Sequence, residues 1–270
     1  MSSPRPFAKA ARRAQSGLSL IELMVGMLIG LLATLAVTHV LVSSEGQKRS
    51  ATSGSDAQVN GALALAHLQR TIRSAGYGFA AAPGIVGCEL KAAHAGVEVD
   101  LPDRLVPVQI VRTAGEPDQI RVLSSGKKTF SIPLRVVMPG YKPGDLQVRL
   151  SSIRGIETGD LLLAAVDASS ACEMFRVTGI LSATEVAKGA DEWNGGPAGN
   201  YSDGSIIINM GRPLDVRFAV VDGSMRSTSL RMNADGDPSY DPSPVELFPD
   251  IVNLRALYGK DNDGNGTIDA

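Results

Sequence analysis

The first strong pattern in the chain is an apolar run over residues 18–42, interrupted by Ser19, Glu22, Thr34 and His39. Its roughly 25 residues exceed the ~20 that a helix needs to cross the hydrocarbon of a bilayer. A secretory signal has a shorter apolar region, about 7–15 residues, closed by a small-x-small cleavage site. No convincing site of that kind closes this run. Arg5, Lys9, Arg12 and Arg13 precede it. By the positive-inside rule they hold the N-terminus in the cytoplasm and place the bulk of the chain outside.

The pattern then changes. Val59, Ala62, Leu63 and Ala66, with Leu65, Leu68 and Ile72, recur at helical spacing. They predict a second helical stretch from about Asp56 to near Gly76. Gly46, Gly54 and the intervening Ser/Thr cluster weaken the connection, because each glycine costs a helix about 1 kcal/mol against alanine. Beyond it, runs of β-branched and aliphatic residues alternate with Gly, Pro and Asp turns. They predict strands at 105–112, 119–124, 129–137, 146–150, 160–166, 174–180, 205–210, 214–221, 227–232 and 245–258. The fold class is therefore α+β: a long N-terminal helix on a mainly antiparallel β domain. Residues 188–204 read as a surface loop with Trp193, the only tryptophan, as its anchor or as an exposed contact.

Composition refines this reading. Of 270 residues, 44% are hydrophobic but only 4% aromatic, so the core must be built from small aliphatic side chains. Net charge is -2, and no basic stripe runs along the chain. A nucleic-acid partner therefore has no electrostatic support. Catalysis has little support either: three histidines, His39, His67 and His94, have no G-x-S-x-G, HExxH or P-loop beside them. The chain is expected not to be an enzyme.

Glu22 is the anomaly. A carboxylate inside a membrane segment costs about 2.5–3.5 kcal/mol at the helix centre, and less near the end. Such a residue is expected to have a function and a cationic partner. Gly26 and Gly30 add a GxxxG pair that lets helices approach closely.

"SGLSLIELMVGMLIGLL", residues 16–32, resembles the signal of type IV prepilins and of type II secretion pseudopilins. The resemblance implies a leader, 1–17, removed by a prepilin peptidase between Gly17 and Leu18, with methylation of the new N-terminal Leu18. It implies that Glu22, then the fifth residue, pairs with the N-terminal amine of a neighbouring subunit during assembly. A buried ion pair of that kind can set register. Leu18 stands where the family more often has Phe, and His39 where many major pilins have a kinking proline. Further on, "ALALAHLQRTIRSAGYGF" with Gly87-Cys88, residues 158–180, and "DIVNLRALYGKDNDGNGTID" resemble the PilW group of minor pilins. That implies a pilin-like fold: leader 1–17, membrane and assembly helix 18–42, periplasmic half 43–76, and β-rich domain 77–270. The implied partners are other minor and major pilins, the prepilin peptidase and the inner-membrane pilus assembly platform. The implied location is the inner membrane, with the C-terminal domain periplasmic, and then the fibre. The implied role is priming, assembly or tip formation. A minor pseudopilin and an adhesin-like periplasmic module are the alternatives.

Two further features depend on that compartment. Cys88 and Cys172, the only cysteines, can form a disulfide in the periplasm or stay as two buried thiols. Asp261, Asp263, Asn265, Thr267 and Asp269 follow the spacing of an EF-hand-type calcium loop, with Gly266 at the turn. The chain stops before the position of the bidentate Glu. The readings are an open calcium site finished by another acid or water, or an Asx-rich turn without an ion.

Overall fold

A computed structural model describes residues 17, 19–128, 131–188, 193, 198–233, 236–261 and 263. By internal contacts the chain falls into two units, Met1–Ser55 and Asp56–Ala270. Helix α1 (Leu20–Arg73) supplies most of the first and the start of the second. Leu, Met and Ala, all good helix formers, dominate its early turns. Glycines 46 and 54 lie within it.

In the second unit, Ala64 and Leu68 of α1 are buried, and Ala57, Asn60, Gly61 and Thr71 are half-buried. These positions share one helix face by their three- and four-residue spacing. Ala64 and Leu68 pack on Ile120, Val122, Phe218 and Met225. This corrects the predicted stripe: Val59, Leu63 and Leu65 are 55%, 51% and 66% exposed. Leu68, also in that stripe, is buried, so the buried face overlaps the predicted one but is centred on Ala64. Ala64 lets the helix lie close to the sheet, Leu68 fills the contact, and Val59, Leu63 and Leu65 look away.

After α1 the chain turns through Gly76 and Gly78, both at positive φ. The Gly76 N–H donates to the Leu123 carbonyl at 2.8 Å. An excursion follows with three short strands, β1 (Glu89–Lys91), β2 (Ala93–His94) and β3 (Val97–Glu98), the last two forming a hairpin. The chain then enters a sheet through β4 (Val108–Val111) and β5 (Gln119–Ser124), paired antiparallel. It leaves that sheet to build a second one from β6 (Leu134–Arg135), β7 (Gln147–Arg149), β8 (Leu161–Ala165), β9 (Ala171–Ile180), β10 (Glu185–Lys188) and β11 (Ile206–Gly211). It returns as β12 (Leu214–Val221), β13 (Ser224–Met232), β14 (Pro238–Tyr240) and β15 (Val245–Pro249).

The first sheet runs β14-β13-β12-β5-β4, with β15 also on β13. The second runs β6-β11-β8-β9-β10-β7, antiparallel throughout. Its two ends meet. Val136 bridges Leu150, the Val137 N–H donates to the Arg149 carbonyl at 3.0 Å, and Ser151 N–H to Arg135 at 2.8 Å. The sheet is a small closed barrel, which leaves no free edge.

Alternation along the barrel strands separates two cores. Leu134, Val136, Val148, Leu150, Leu162, Phe175 and Val186 belong to the cluster that fills the barrel. Leu161, Leu163, Met174, Ile208 and Met210 pack outward with Phe79, Ile85, Leu90 and Leu105 of the excursion. Each such aliphatic or aromatic side chain contributes about 1.5–3 kcal/mol by burial.

Strand β1 joins β9 in parallel, Leu90 opposite Cys172. Cys88 is disulfide-bonded to Cys172, with Cα atoms 5.8 Å apart. Trp193 is fully buried, packs edge-on to His94, and donates from Nε1 to the Gly236 carbonyl at 3.1 Å. It anchors its loop.

Several predicted boundaries change. The strand expected over 245–258 ends at Pro249, and the rest is extended chain fixed by hydrogen bonds rather than a ladder. The strand expected over 129–137 is Leu134–Arg135, with residues 129 and 130 outside the described set. Strands β1, β2, β3, β10 and β14 were not predicted. All are two to four residues long, too short for an alternation to register.

Candidate processing and assembly segment

The first unit has one chemical peculiarity, and it lies at the helix N-terminus. Gly17 and Ser19 precede α1, and both are exposed. The Ser19 carbonyl accepts the N–H groups of Glu22, at 3.0 Å, and Leu23, at 3.1 Å, and so starts the helix. Glu22 is the acidic residue of the first turn. There its charge meets the free amides and the positive end of the helix dipole, worth about 0.3–1 kcal/mol. That offsets only part of the cost of placing a carboxylate in hydrocarbon. Leu18, the residue expected to be methylated, lies outside the described residues.

The remaining polar groups of the apolar stretch are satisfied locally. Thr34 Oγ1 donates to the carbonyls of Gly30 at 3.1 Å and Leu31 at 2.9 Å. Thr38 Oγ1 donates to the Thr34 carbonyl. Such back-bonding is how hydroxyls are carried in apolar helices. The large apolar side chains around them are exposed, from Leu20 at 78% to Val42 at 71%. Gly26 and Gly30 have open space where a Cβ would be. By length and composition α1 can cross a membrane.

The other predicted site residues are dispersed. Cys88 and Cys172 staple the excursion to the barrel in the second unit. Asp261 and Asp263 are described, whereas Asn265, Thr267 and Asp269 lie outside the described residues. Among the described residues no group of three or more His, Cys, Asp or Glu could hold a metal ion. His67, on α1, lies against the rings of Phe218 and Phe248 at 5.7 and 5.9 Å.

Two polar clusters escaped the sequence reading. Asp215, fully buried, accepts from Arg121 Nε at 2.9 Å and from Tyr240 Oη. Arg217 stacks 4.0 Å over the Tyr240 ring and pairs with Asp100 at 2.7 Å. Burial opposes the Asp100 charge, yet Arg217 and Arg121 hold its pKa below the usual carboxylate value. Burial and the neighbouring Asp215 raise that of Tyr240. The second cluster is Lys127, Asp160 and Asn209, buried where the barrel meets the sheet. Its members are far apart in sequence, so no spacing could have signalled either cluster.

Residues 12–38 match the prokaryotic N-terminal methylation motif. No curated protein and no solved structure matches the chain. The motif covers the Gly17–Glu22 segment and most of the apolar stretch. Together with the long N-terminal helix and the mostly antiparallel β domain, it supports a type IV pilin- or pseudopilin-type protein. It is consistent with membrane anchoring and with processing by a prepilin peptidase.

Proposed function

We propose that this chain is a minor pilin of the PilW-like group, acting in the assembly, priming or tip of a type IV pilus. One observation carries the reading: Glu22 stands in the first turn of an exposed apolar helix, directly after the Gly17 junction. The protein sits in the inner membrane with its β domain in the periplasm. Prepilin peptidase cuts after Gly17 and Leu18 is methylated. The exposed apolar face of α1 then leaves lipid for the packed helices of a fibre, alongside other minor and major pilins. Glu22 meets the N-terminal amine of a neighbouring subunit, and the assembly platform supplies the insertion step. The role is structural rather than catalytic. The C-terminal Asp/Asn run, Asp261 to Asp269, offers calcium an EF-hand-type set of oxygens, with an Asx-rich turn without an ion as the alternative.

The N-terminal mass of protein recovered from cells, with and without the peptidase, tests this. Peptidase-dependent loss of residues 1–17 and one added methyl group is the expected result. An intact N-terminus in both strains overturns it. Co-purification with pilus subunits rather than with secretion-system subunits separates a pilin from a minor pseudopilin, whose signal is the same.

A further inference from the structure

We propose that the cavity where the barrel joins the sheet is an oxyanion-binding site, taking a phosphate or carboxylate group through Lys128 and Arg212. The cavity measures about 420 Å3. Lys127, Lys128, Arg176 and Arg212 line it, against Glu157 and Asp160 as its carboxylates. On a chain with net charge -2 this is a local excess of cations.

The four cations are not equivalent. Lys127 is already engaged, its Nζ 3.1 Å from Asp160 and 3.2 Å from Glu157. Asp160 also accepts from Asn209 Nδ2 and from the Glu157 N–H, each at 2.8 Å. Burial works against the Lys127 charge, but the bonds from Asp160 and Glu157 raise its pKa. Lys127, Asp160 and Asn209 thus form a buried floor whose hydrogen bonds are internal, with Glu157 at its exposed edge. Lys128 and Arg212, both exposed, have no carboxylate partner among the described residues. They are the cations available to a ligand, and Arg176 is not counted on.

The walls are built to hold that arrangement. A Cβ on Gly126 would overlap the carbonyl of Arg212, so only glycine lets the β5 exit turn lie against the β11–β12 turn. Gly211, at φ +57°, leaves room for the Lys127 stem, which would lie 2.7 Å from an added Cβ. Gly236 does the same for the Arg176 guanidinium at 2.5 Å. Thr158 adds a hydroxyl to the lining. A guanidinium-bearing and an ammonium-bearing side chain lining one polar cavity supply the donor types that oxyanions require. Uncharged or cationic ligands would leave both cations unpaired.

The test is calorimetric titration of the full chain in detergent at low ionic strength, where screening is weak. Inorganic phosphate and galacturonate are the two probes, so that a phosphate source and a carboxylate source are distinguished. Saturable one-site binding of at least one probe is expected. K128Q/R212Q should weaken it at least about tenfold, the worth of one charge-assisted hydrogen bond, with an unchanged melting temperature. Lys128→Glu alone, on an exposed turn, should weaken it too. Lys142→Gln, on the β6–β7 loop outside the cavity, should leave it unchanged. No saturable binding of either probe up to about 10 mM, an affinity too weak to count as a site, overturns the proposal. So does equal affinity in wild type and K128Q/R212Q. The outcome is independent of whether the chain enters a fibre.

Discussion

Ser124 and Leu214 are direct antiparallel partners, closing the β5–β12 ladder at the point where the barrel departs and returns. The barrel is thus an insertion into a hairpin. Its two ends are adjacent strands of one sheet, the geometry in which an inserted module perturbs its host least. The sheet and the stretch of α1 from Asp56 onward form one packing unit through Ala64, Leu68, Ile120 and Phe218, with the barrel inserted after β5.

That junction depends on Gly126. Its replacement by alanine must push a Cβ into the Arg212 carbonyl, so backbone has to move on one side or the other. A loss of at least about 2 kcal/mol is expected from such overpacking. Gly144→Ala is the control. Unlike Gly126 it has positive φ, at +93°, but nothing lies within 4 Å of its would-be Cβ, so it should cost only about 1 kcal/mol from backbone strain. Denaturant unfolding of both variants checks the difference. Equal losses would mean that the junction relaxes.

The helix face makes a second prediction. Ala64 is 4% exposed against the sheet, while Leu63 beside it is 51% exposed. Ala64→Leu is expected to destabilise the β unit by about 1–3 kcal/mol through overpacking. Leu63→Ala should change it by less than about 0.5 kcal/mol, as for other surface positions. The hydrophobic pattern of the sequence alone gives the opposite ranking. Thermal or denaturant midpoints decide between them.

That reversal shows what the sequence could and could not say. The long helix, the strands β5 and β12 and the mainly antiparallel domain were legible from periodicity, because each has enough residues for a pattern. Glu22 was legible because a charge in an apolar run is conspicuous. The helix face was legible only in part: Leu68 belongs to the hydrophobic pattern, but Ala64 contacts the sheet by being small, and small residues carry little hydrophobic signal. Barrel closure was not legible. It rests on a bridge between Val136 and Leu150, each just past the end of a strand two or three residues long. Buried partners such as Arg121 and Asp215 are joined only by the sheet register.

The disulfide closes a loop of 84 residues in sequence. The chain-entropy relation assigns about 4.5 kcal/mol to a loop of that length. Cys88→Ser with Cys172→Ser is expected to lose up to that amount and to loosen β1 from β9, since only three residue pairs join them. Amide exchange at Leu90 should rise while that at Phe218, in the helix-backed sheet, stays slow. Equal acceleration at both positions would show one cooperative unit.

Gly17 and Glu22 are expected to separate processing from assembly. Gly17→Ala should leave the full-length precursor in the membrane. Glu22→Ala should be cut and methylated yet remain in the membrane fraction, absent from sheared fibres. Both residues belong to the first unit and the β domain to the second, so the domain's unfolding midpoint should be unchanged in both. Normal fibre incorporation of Glu22→Ala would remove the charge-pairing role.

Asp118 ties the last described stretch of chain to the sheet, and the tie is pH-dependent. Its carboxylate accepts the Ala256 N–H at 2.8 Å and Arg255 Nη1 at 3.2 Å, and its own N–H donates to the Leu254 carbonyl at 2.8 Å. The Ala256 N–H is the main cause that lowers its pKa, burial opposes it, and Arg255 and Arg112 add to the lowering. A carboxylate with a lowered folded pKa stabilises the fold above its unfolded value, near 4, and that stability is lost as pH falls through the folded pKa. Residues 251–258 make no strand ladder; Ile251, Leu254 and Ala256 pack on the helix-backed core, Tyr258 Oη accepts from the Ile110 N–H at 2.6 Å, and Arg112 donates to the Ala256 carbonyl at 2.6 Å. Below about pH 4, exchange protection of the Ala256 amide should fall before that of Val122 in β5. Asp118→Asn should show the fast Ala256 exchange already at neutral pH and lose the acid dependence. If the two amides lose protection together in the wild type, Asp118 reports on global unfolding and the segment has no separate latch.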